Sequence, residues 1–417
     1  MQEPMTDAGW GLRMAAAARF EALGWPTTKL ESWHWFSTRA LEDLDLSTPP
    51  ETRNVPLPDL PSPRVVFIDG RFAPHLLSLG ENTDALHVRA LSDYDDETLA
   101  SVVSRLTQDT ADGALEQANL AFLTGGVHIV ARGTSNPTLH IVHLTTNAGV
   151  VHARTVIELE RHSSLAVMDH HIGLAEPDAR YLHNLVTEVH VGPGAQLSYA
   201  KQISESASGS HIESLIARLD RDSRFSSFSL SLAAERARTA IIVQLAGPGA
   251  ECSVDGLYLG EGKSQLDHTT EVRHLVPHTT SSETWAGVLD GRSTGTFQGV
   301  IKIAPHAIKS ATRQLTRTLL LSEGAQANAK PELHIDCDDV TATHGASIGQ
   351  LDPLQQFYLE SRGIPRDDAR RMLVAAFVRQ VLALAPATLM PILKALVEAR
   401  LGGEARVEDD DANGESP

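Results

Sequence analysis

Across residues 126–350, apolar and polar positions alternate with a period close to two, in short runs broken by Gly, Asn, Asp and Ser. GVHIVA (126–131), TLHIVHLTT (138–146), ARTVIELE (153–160), SLAVMDHH (164–171), VTEVHV (186–191), QLSYAKQI (196–203), TAIIVQLA (239–246) and CSVDGLYLG (252–260) carry the pattern. That period predicts strands that each send one face to a core. A similar corner precedes three strands: Gly194-Ala195-Gln196, Gly249-Ala250-Glu251 and Gly324-Ala325-Gln326. Many short strands without intervening helices leave a barrel, a sandwich or a solenoid. A corner that repeats the same bend favours the solenoid.

The flanks change period. Residues 1–125 read as mostly helical, with a Pro-rich crossing segment at 45–64. Met14, Ala17, Ala18 and Leu23 predict the packed stripe of a first helix, stopped by Gly24 and Pro26. Val65-Val66-Phe67-Ile68 predicts a strand ending in the turn pair Asp69-Gly70. Leu99, Val102, Val103 and Leu106 lie on one face of a helix over 94–106, behind an acidic first turn. Residues 351–402 return to helix. Gly363 suits a C-terminal cap, and Pro365 opens a helix whose stripe is Ala369, Met372, Leu373, Ala376, Phe377, Val381 and Leu384. A last helix follows Thr388, with Leu389, Leu393, Leu396 and Val397 on one face. Such apolar helices pack on each other or dock a partner. The acidic tail, residues 403–417, is too polar to fold.

Composition narrows the function. The chain has 417 residues, with 35 Lys+Arg against 53 Asp+Glu and a net charge of −18. A chain this acidic is a poor partner for nucleic-acid phosphates. Aromatics make up only 5%, so the core must be aliphatic. Two cysteines, Cys252 and Cys337, support neither a disulfide framework nor a self-sufficient thiolate cluster site. The first residues carry scattered charges and no apolar leader core, and no run reaches the ~18 apolar residues of a membrane span. A cytoplasmic protein is expected.

Candidate chemistry is sparse. His268, His274 and His278 cluster, and on a strand the first two share a face that could approach a metal. The plain alternative is that they are hydrogen-bonded or exposed. His170-His171 point to opposite faces. The glycine runs at 247–251 and 260–263 lack phosphate-loop spacing, and no GxSxG elbow occurs. The most distinctive block is 334–364, with Asp338-Asp339, then Thr343-His344-Gly345-Ala346, then Gly349 and a helix. His344 precedes a glycine at an expected strand-to-helix switch, where its imidazole stays accessible or stabilises the turn. Cys337 lies seven positions upstream, and neither residue alone makes a metal site.

This block resembles the SufB/SufD family of the SUF iron–sulfur cluster assembly system. Its signature is DDV-x-x-x-HGA-x-x-GQLD followed by FYL-x-SRGI. PTTKLESWHWFSTRAL (26–41), FIDGRFAP (67–74), DGLYLGEGKSQLDHTTEVRHLVPHTTS (255–281), GVLDGRSTGTFQG (287–299) and LLLSEGAQANAKPELHI (319–335) agree with it, so the resemblance covers nearly the whole chain.

The resemblance implies a right-handed parallel β-helix core at 126–350, between helical N- and C-terminal regions. It implies a non-catalytic scaffold subunit that pairs with a SufB-like subunit and binds the SufC ATPase through residues 351–402. A homodimer is the alternative pairing when the SufB-like subunit is missing. No catalytic residue is implied. His344 falls on the family histidine at the subunit interface, where it would meet a nascent iron–sulfur cluster as a single metal ligand. Many members carry a cysteine two residues earlier, where this chain has Ala342. No cofactor is expected to stay bound to the isolated chain, and flavin binding by the assembled complex is left open. The rival readings are a SufB-type cluster-binding subunit and a β-helix carbohydrate lyase or hydrolase.

Overall fold

The computed structural model describes residues 9–51, 61–80, 84–103, 113–134 and 137–401. Leu106 and the acidic tail lie outside the described residues.

The middle of the chain is a parallel β-solenoid of two facing sheets, and successive strands alternate between them. One sheet holds β1 (Arg64–Ile68), β2 (Arg71–Phe72), β5 (Leu139–Thr145), β7 (Ser164–Gly173), β9 (Gln196–Ser204), β11 (Arg224–Ala233), β13 (Glu251–Gly260), β15 (Thr280–Leu289), β17 (Ala311–Leu320) and β19 (Thr341–Gly349). The other holds β3 (Leu86–Ala90), β4 (Gly125–Ala131), β6 (Gly149–Leu159), β8 (Tyr181–Val191), β10 (Gly209–Leu219), β12 (Arg236–Leu245), β14 (Gln265–His274), β16 (Thr294–Ile303) and β18 (Gln326–Ile335). Each strand is in parallel register with the strand one coil away, as in Val167↔Tyr199↔Ser227↔Val254↔Glu283↔Gln314↔His344. The solenoid expected from the corner repeat is therefore present.

The corners show why the chain bends where it does. Gly194 and Gly249 have φ of 68° and 79°, a region open to glycine. Ala195 and Ala250, which follow them, are fully buried. The strand after each corner then sends alternate residues inward. Leu165, Val167, Val189, Leu197, Ala217, Leu219 and Phe225 fill one part of the interior. Each of the Leu, Val and Phe side chains contributes about 1.5–3 kcal/mol by leaving water.

Residues before 126 do more than form helices. Asp69 and Gly70 take positive φ and close a hairpin in which β1 pairs antiparallel with β2. β1 also pairs with β5, and β3 lies antiparallel on β4. Helices α1 (Trp10–Leu23), α2 (Asp96–Val103) and α3 (Ala114–Ala121) pack beside this end. Leu99, Val102 and Val103 are buried, as their spacing predicts. The expected stripe of α1 is not the packed one. Met14 and Leu23 are about half exposed, while Leu12, Ala16 and Phe20 make the contacts. An alanine-rich helix gives little amphipathic signal, so contacts made far along the chain choose the face.

The segment 31–37 lies across the outer face of the nine-stranded sheet. Trp33 carries the Arg238 guanidinium 4.1 Å above its ring. Gln265 Nε2 donates to the Trp35 carbonyl at 2.6 Å, and Gln298 Nε2 donates to the Ser32 carbonyl at 3.2 Å.

The opposite sheet is covered by the C-terminal helices. After α4 (Pro353–Ser361), α5 (Arg366–Leu382) and α6 (Met390–Leu401) bury Val374, Val378, Val381, Leu389, Leu393 and Val397 against Phe228, Leu230, Leu257, Leu259 and Val288. The helices thus pack chiefly on the sheet. α5 is rotated from the expected stripe: Met372 and Leu384 are exposed, and Val374 and Val378 are buried instead. No described helix is long and apolar enough to cross a membrane.

Candidate functional site

His344 sits within the outermost strand of the ten-stranded sheet, in register with Gln314. Its location differs from the expected strand-to-helix switch. β19 runs on to Gly349, and α4 begins only at Pro353, capped by the Asp352 side chain. Gly345 is an ordinary strand residue, whose added Cβ would meet only Leu315 Cδ1 at 3.4 Å.

The lane that ends at His344 is an interior one. Gln314 and Glu283, its two preceding rungs, are fully buried, and Gln314 Nε2 donates to Glu283 Oε2 at 2.5 Å. His344 is exposed because, among the described residues, no further coil stacks on it. Ile348, four residues on, shares its face of the strand and is 47% exposed, although its rung partner Thr318 is buried. On the facing sheet, β18 ends the stack with Pro331 in its middle, a residue that sheets tolerate at their edges. Ile335 of that strand is 40% exposed. α4 adds exposed Leu354, Phe357 and Tyr358 immediately after β19. Among the described residues, the last coil therefore presents two strand edges, inward-type apolar residues and, in an interior lane, the His344 imidazole.

The cysteines do not join His344. Cys337 lies in the corner between β18 and β19, buried against Ile301, Ile303 and Ala307. Cys252 faces the core, where burial first, then Glu283 and Asp255, push its thiol well above the ordinary value. Among the described residues, neither cysteine nor His344 belongs to a group of three metal-capable side chains.

The expected histidine pair on β14 also fails to form a metal site. His274 spends both nitrogens on hydroxyls, Thr279 Oγ1 at 2.7 Å and Ser281 Oγ at 2.9 Å. His268 is sandwiched between Tyr258 and Trp285. Burial first, then Lys201 and Arg238, lower its pKa to about 3. His278 is an exposed corner residue with φ of 59°.

A different imidazole group occupies the solenoid interior. His143 and His171 are rung partners on β5 and β7, stacked 4.7 Å apart. His183 and His211 are rung partners on β8 and β10 of the facing sheet. Asp169, Lys201, Glu205 and Glu213 join them, all essentially buried. Lys201 Nζ donates to Glu213 Oε2 at 2.6 Å, and Tyr199 Oη donates to Asp169 Oδ2 at 2.6 Å. Tyr181 Oη donates to Glu205 Oε2 at 2.7 Å. Burial alone would raise Asp169, but His171 and His143 hold its carboxyl down at about 2. Burial pushes His143 down to about 3, against the pull of Asp169. For His211, burial is outweighed by Glu205 and Glu213, which raise it above the ordinary value. The signal missed in the sequence was a shared spacing: His143 and His171 are 28 positions apart, and so are His183 and His211. In a solenoid, equal spacing means adjacent rungs.

Among the described residues, the last coil leaves β18 and β19 as sheet edges. The family profile described as SUF system FeS cluster assembly, SufBD core domain, matches residues 142–377. The chain belongs to this SufBD family of iron–sulfur cluster assembly proteins. It is 27% identical to the iron–sulfur cluster assembly protein SufD of Escherichia coli, across 92% of this chain and 91% of that one. It is 25% identical to an iron–sulfur cluster assembly SufBD family protein of Synechocystis, across 93% and 90% of the two chains. It is 32% identical to SufD of Bacillus subtilis over 54% of this chain and 52% of that protein.

Proposed function

We propose that this chain is a SufD-type scaffold subunit of a cytoplasmic iron–sulfur cluster assembly complex, without catalytic turnover of its own. Its last coil pairs with a SufB-like subunit, and its C-terminal helical region receives a SufC-type ATPase. The observation that carries the reading is the open end formed by β18 and β19. Edge strands left bare invite pairing, and Ile335 and Ile348 occupy interior lanes there with nothing above them among the described residues. A partner that continues the two sheets would bury both residues and enclose His344. In that enclosure His344 supplies one nitrogen to a nascent cluster, and the partner supplies the remaining ligands.

Co-expression of the chain with a SufB-like subunit and a SufC-type ATPase tests this. A complex of all three is expected on size exclusion. Ile348→Lys should release the SufB-like subunit and retain the ATPase. Phe357→Glu with Tyr358→Glu should weaken ATPase retention. Purification of the chain alone, with both candidates present, would overturn the reading.

A further inference from the structure

We propose that the interior of the solenoid holds a site for one divalent transition-metal ion, bound by the imidazoles of His171, His183 and His211.

The residues come from three strands, β7 of one sheet and β8 and β10 of the other. One ring nitrogen from each lies within 4.8 Å of the other two. Three nitrogens on a common ion at ~2.1 Å lie roughly 3.4–3.6 Å apart. Closing the site therefore takes a movement of about an ångström, within reach of side-chain rotation. All three side chains are essentially fully buried.

The second observation is unmet bonding. Neither ring nitrogen of His171 has a hydrogen-bond partner, and its Nε2 stands 3.4 Å from Asp169 Oδ1. Asp169 Oδ1 and Glu213 Oε1 are also buried without a hydrogen bond. Buried polar groups are nearly always paired, because an orphan has given up its water bonds without replacement. A cation between the imidazoles would satisfy His171 directly.

Charge points the same way. Three carboxylates, Asp169, Glu205 and Glu213, lie in this group with one ammonium, Lys201, which pairs with Glu213. With the three imidazoles neutral as ligands, a dication balances the excess. Glu205 Oε1 is 2.9 Å from His183 Nδ1 and 3.0 Å from His211 Nδ1. Metal-bound histidines ordinarily have such a carboxylate beside them, which orients the ring and raises its basicity. Three imidazoles with adjacent carboxylates suit zinc, ferrous iron, cobalt or nickel over calcium or magnesium, which prefer all-oxygen shells. The site is separate from His344: it lies on β7, β8 and β10, and His344 lies on the terminal strand β19.

The site is enclosed, so the ion would enter as the coils close. The test therefore unfolds the full-length chain in urea and refolds it with one equivalent of Co2+, followed by desalting. We expect one Co2+ retained per chain, with visible ligand-field bands, and a higher melting temperature than the metal-free protein. His183→Ala and His211→Ala should each lower Co2+ affinity at least tenfold, and His278→Ala should not. If the substituted chains fail to refold, crystals of the wild-type chain grown with Zn2+ decide by anomalous scattering. A peak between the three imidazoles supports the site. Refolded wild-type chain without Co2+, substituted chains that bind as well as wild type, or anomalous peaks only elsewhere would each overturn it.

Discussion

The two ends of the solenoid are built from the same coil and finished in opposite ways. At the first end, β3 turns antiparallel onto β4 and β2 folds back on β1. α3 then lies over the neighbouring sheet face. There Arg154 is buried, with Nη1 2.5 Å from Glu188 Oε1 and Nε donating to Asn119 Oδ1 at 3.0 Å. At the last end, among the described residues, β18 and β19 have nothing beyond them, and the ion pair Lys309–Asp339 at that corner stands more than half exposed. A solenoid needs caps because its coils are interchangeable. On the proposed reading a partner subunit supplies the second cap, so stability should concentrate at the first end and association at the last.

The largest test of that contrast is Arg154→Ala. It removes the counter-ion of buried Glu188, a loss that costs about 3–5 kcal/mol in comparable sites. Lys309→Ala at the open end breaks an exposed pair and should cost about 0–1 kcal/mol. Urea unfolding midpoints for the two variants would measure the difference, and similar losses would contradict the asymmetry.

The next effect lies in the lane that leads to His344. Burial raises Glu283 from an ordinary 4.5 to about 7, and hydrogen bonds from Gln314 and Thr270 only partly offset it. The folded state therefore holds this proton more tightly than the unfolded chain does. Stability is full below about pH 4.5 and falls as pH rises toward 7, by on the order of 3 kcal/mol. Glu283→Gln keeps an acceptor for Gln314 and removes the ionisation. Its unfolding free energy should exceed that of wild type at pH 7 and match it near pH 4. Asp255, raised by burial to about 7 as well, contributes a slope of the same sign to both proteins. A wild-type-to-variant difference that does not change with pH would show that Glu283 is not buried in this way.

The fold was more legible than the chemistry. Period-two runs and Gly-Ala corners are local signals, and they led to the solenoid. The Asp69-Gly70 hairpin was equally local. The helix faces of α1 and α5 were misplaced, because apolar residues surround both helices and the sheets and neighbouring helices choose which ones to cover. His170-His171 was dismissed on the sound ground that adjacent strand residues diverge, yet His171 alone turns inward and meets His183 and His211. That meeting depends on coil length and on which sheet each strand joins. Neither can be read from one segment. His344 was found through its motif, but its place on an edge strand follows only from the rung that pairs it with Gln314.

A smaller effect separates folding from pairing at the open end. Ile348→Lys places a charge on an edge strand whose side chain already meets water, so stability should change by about 0.5 kcal/mol or less. Affinity for a partner that covers this strand should drop at least tenfold, about 1.4 kcal/mol, because the ammonium would have to be desolvated there. Titration of a labelled SufB-like subunit against both chains measures the loss. Unchanged affinity would place the interface elsewhere.

The smallest effect on the fold and the sharpest on function is expected from His344→Ala. The imidazole is exposed and makes no hydrogen bond or ion pair among the described contacts, so thermal unfolding should shift by no more than the scatter of a surface substitution. The edge strand keeps its backbone, and pairing should survive. Only the nitrogen offered to the enclosed space is lost. Cluster yield by the co-expressed complex should then fall severalfold while its subunit composition stays constant. His344→Cys, which restores a soft ligand at the same place, should recover part of the yield. Wild-type complementation by His344→Ala would remove this residue from the chemistry and leave the open end as a purely structural joint.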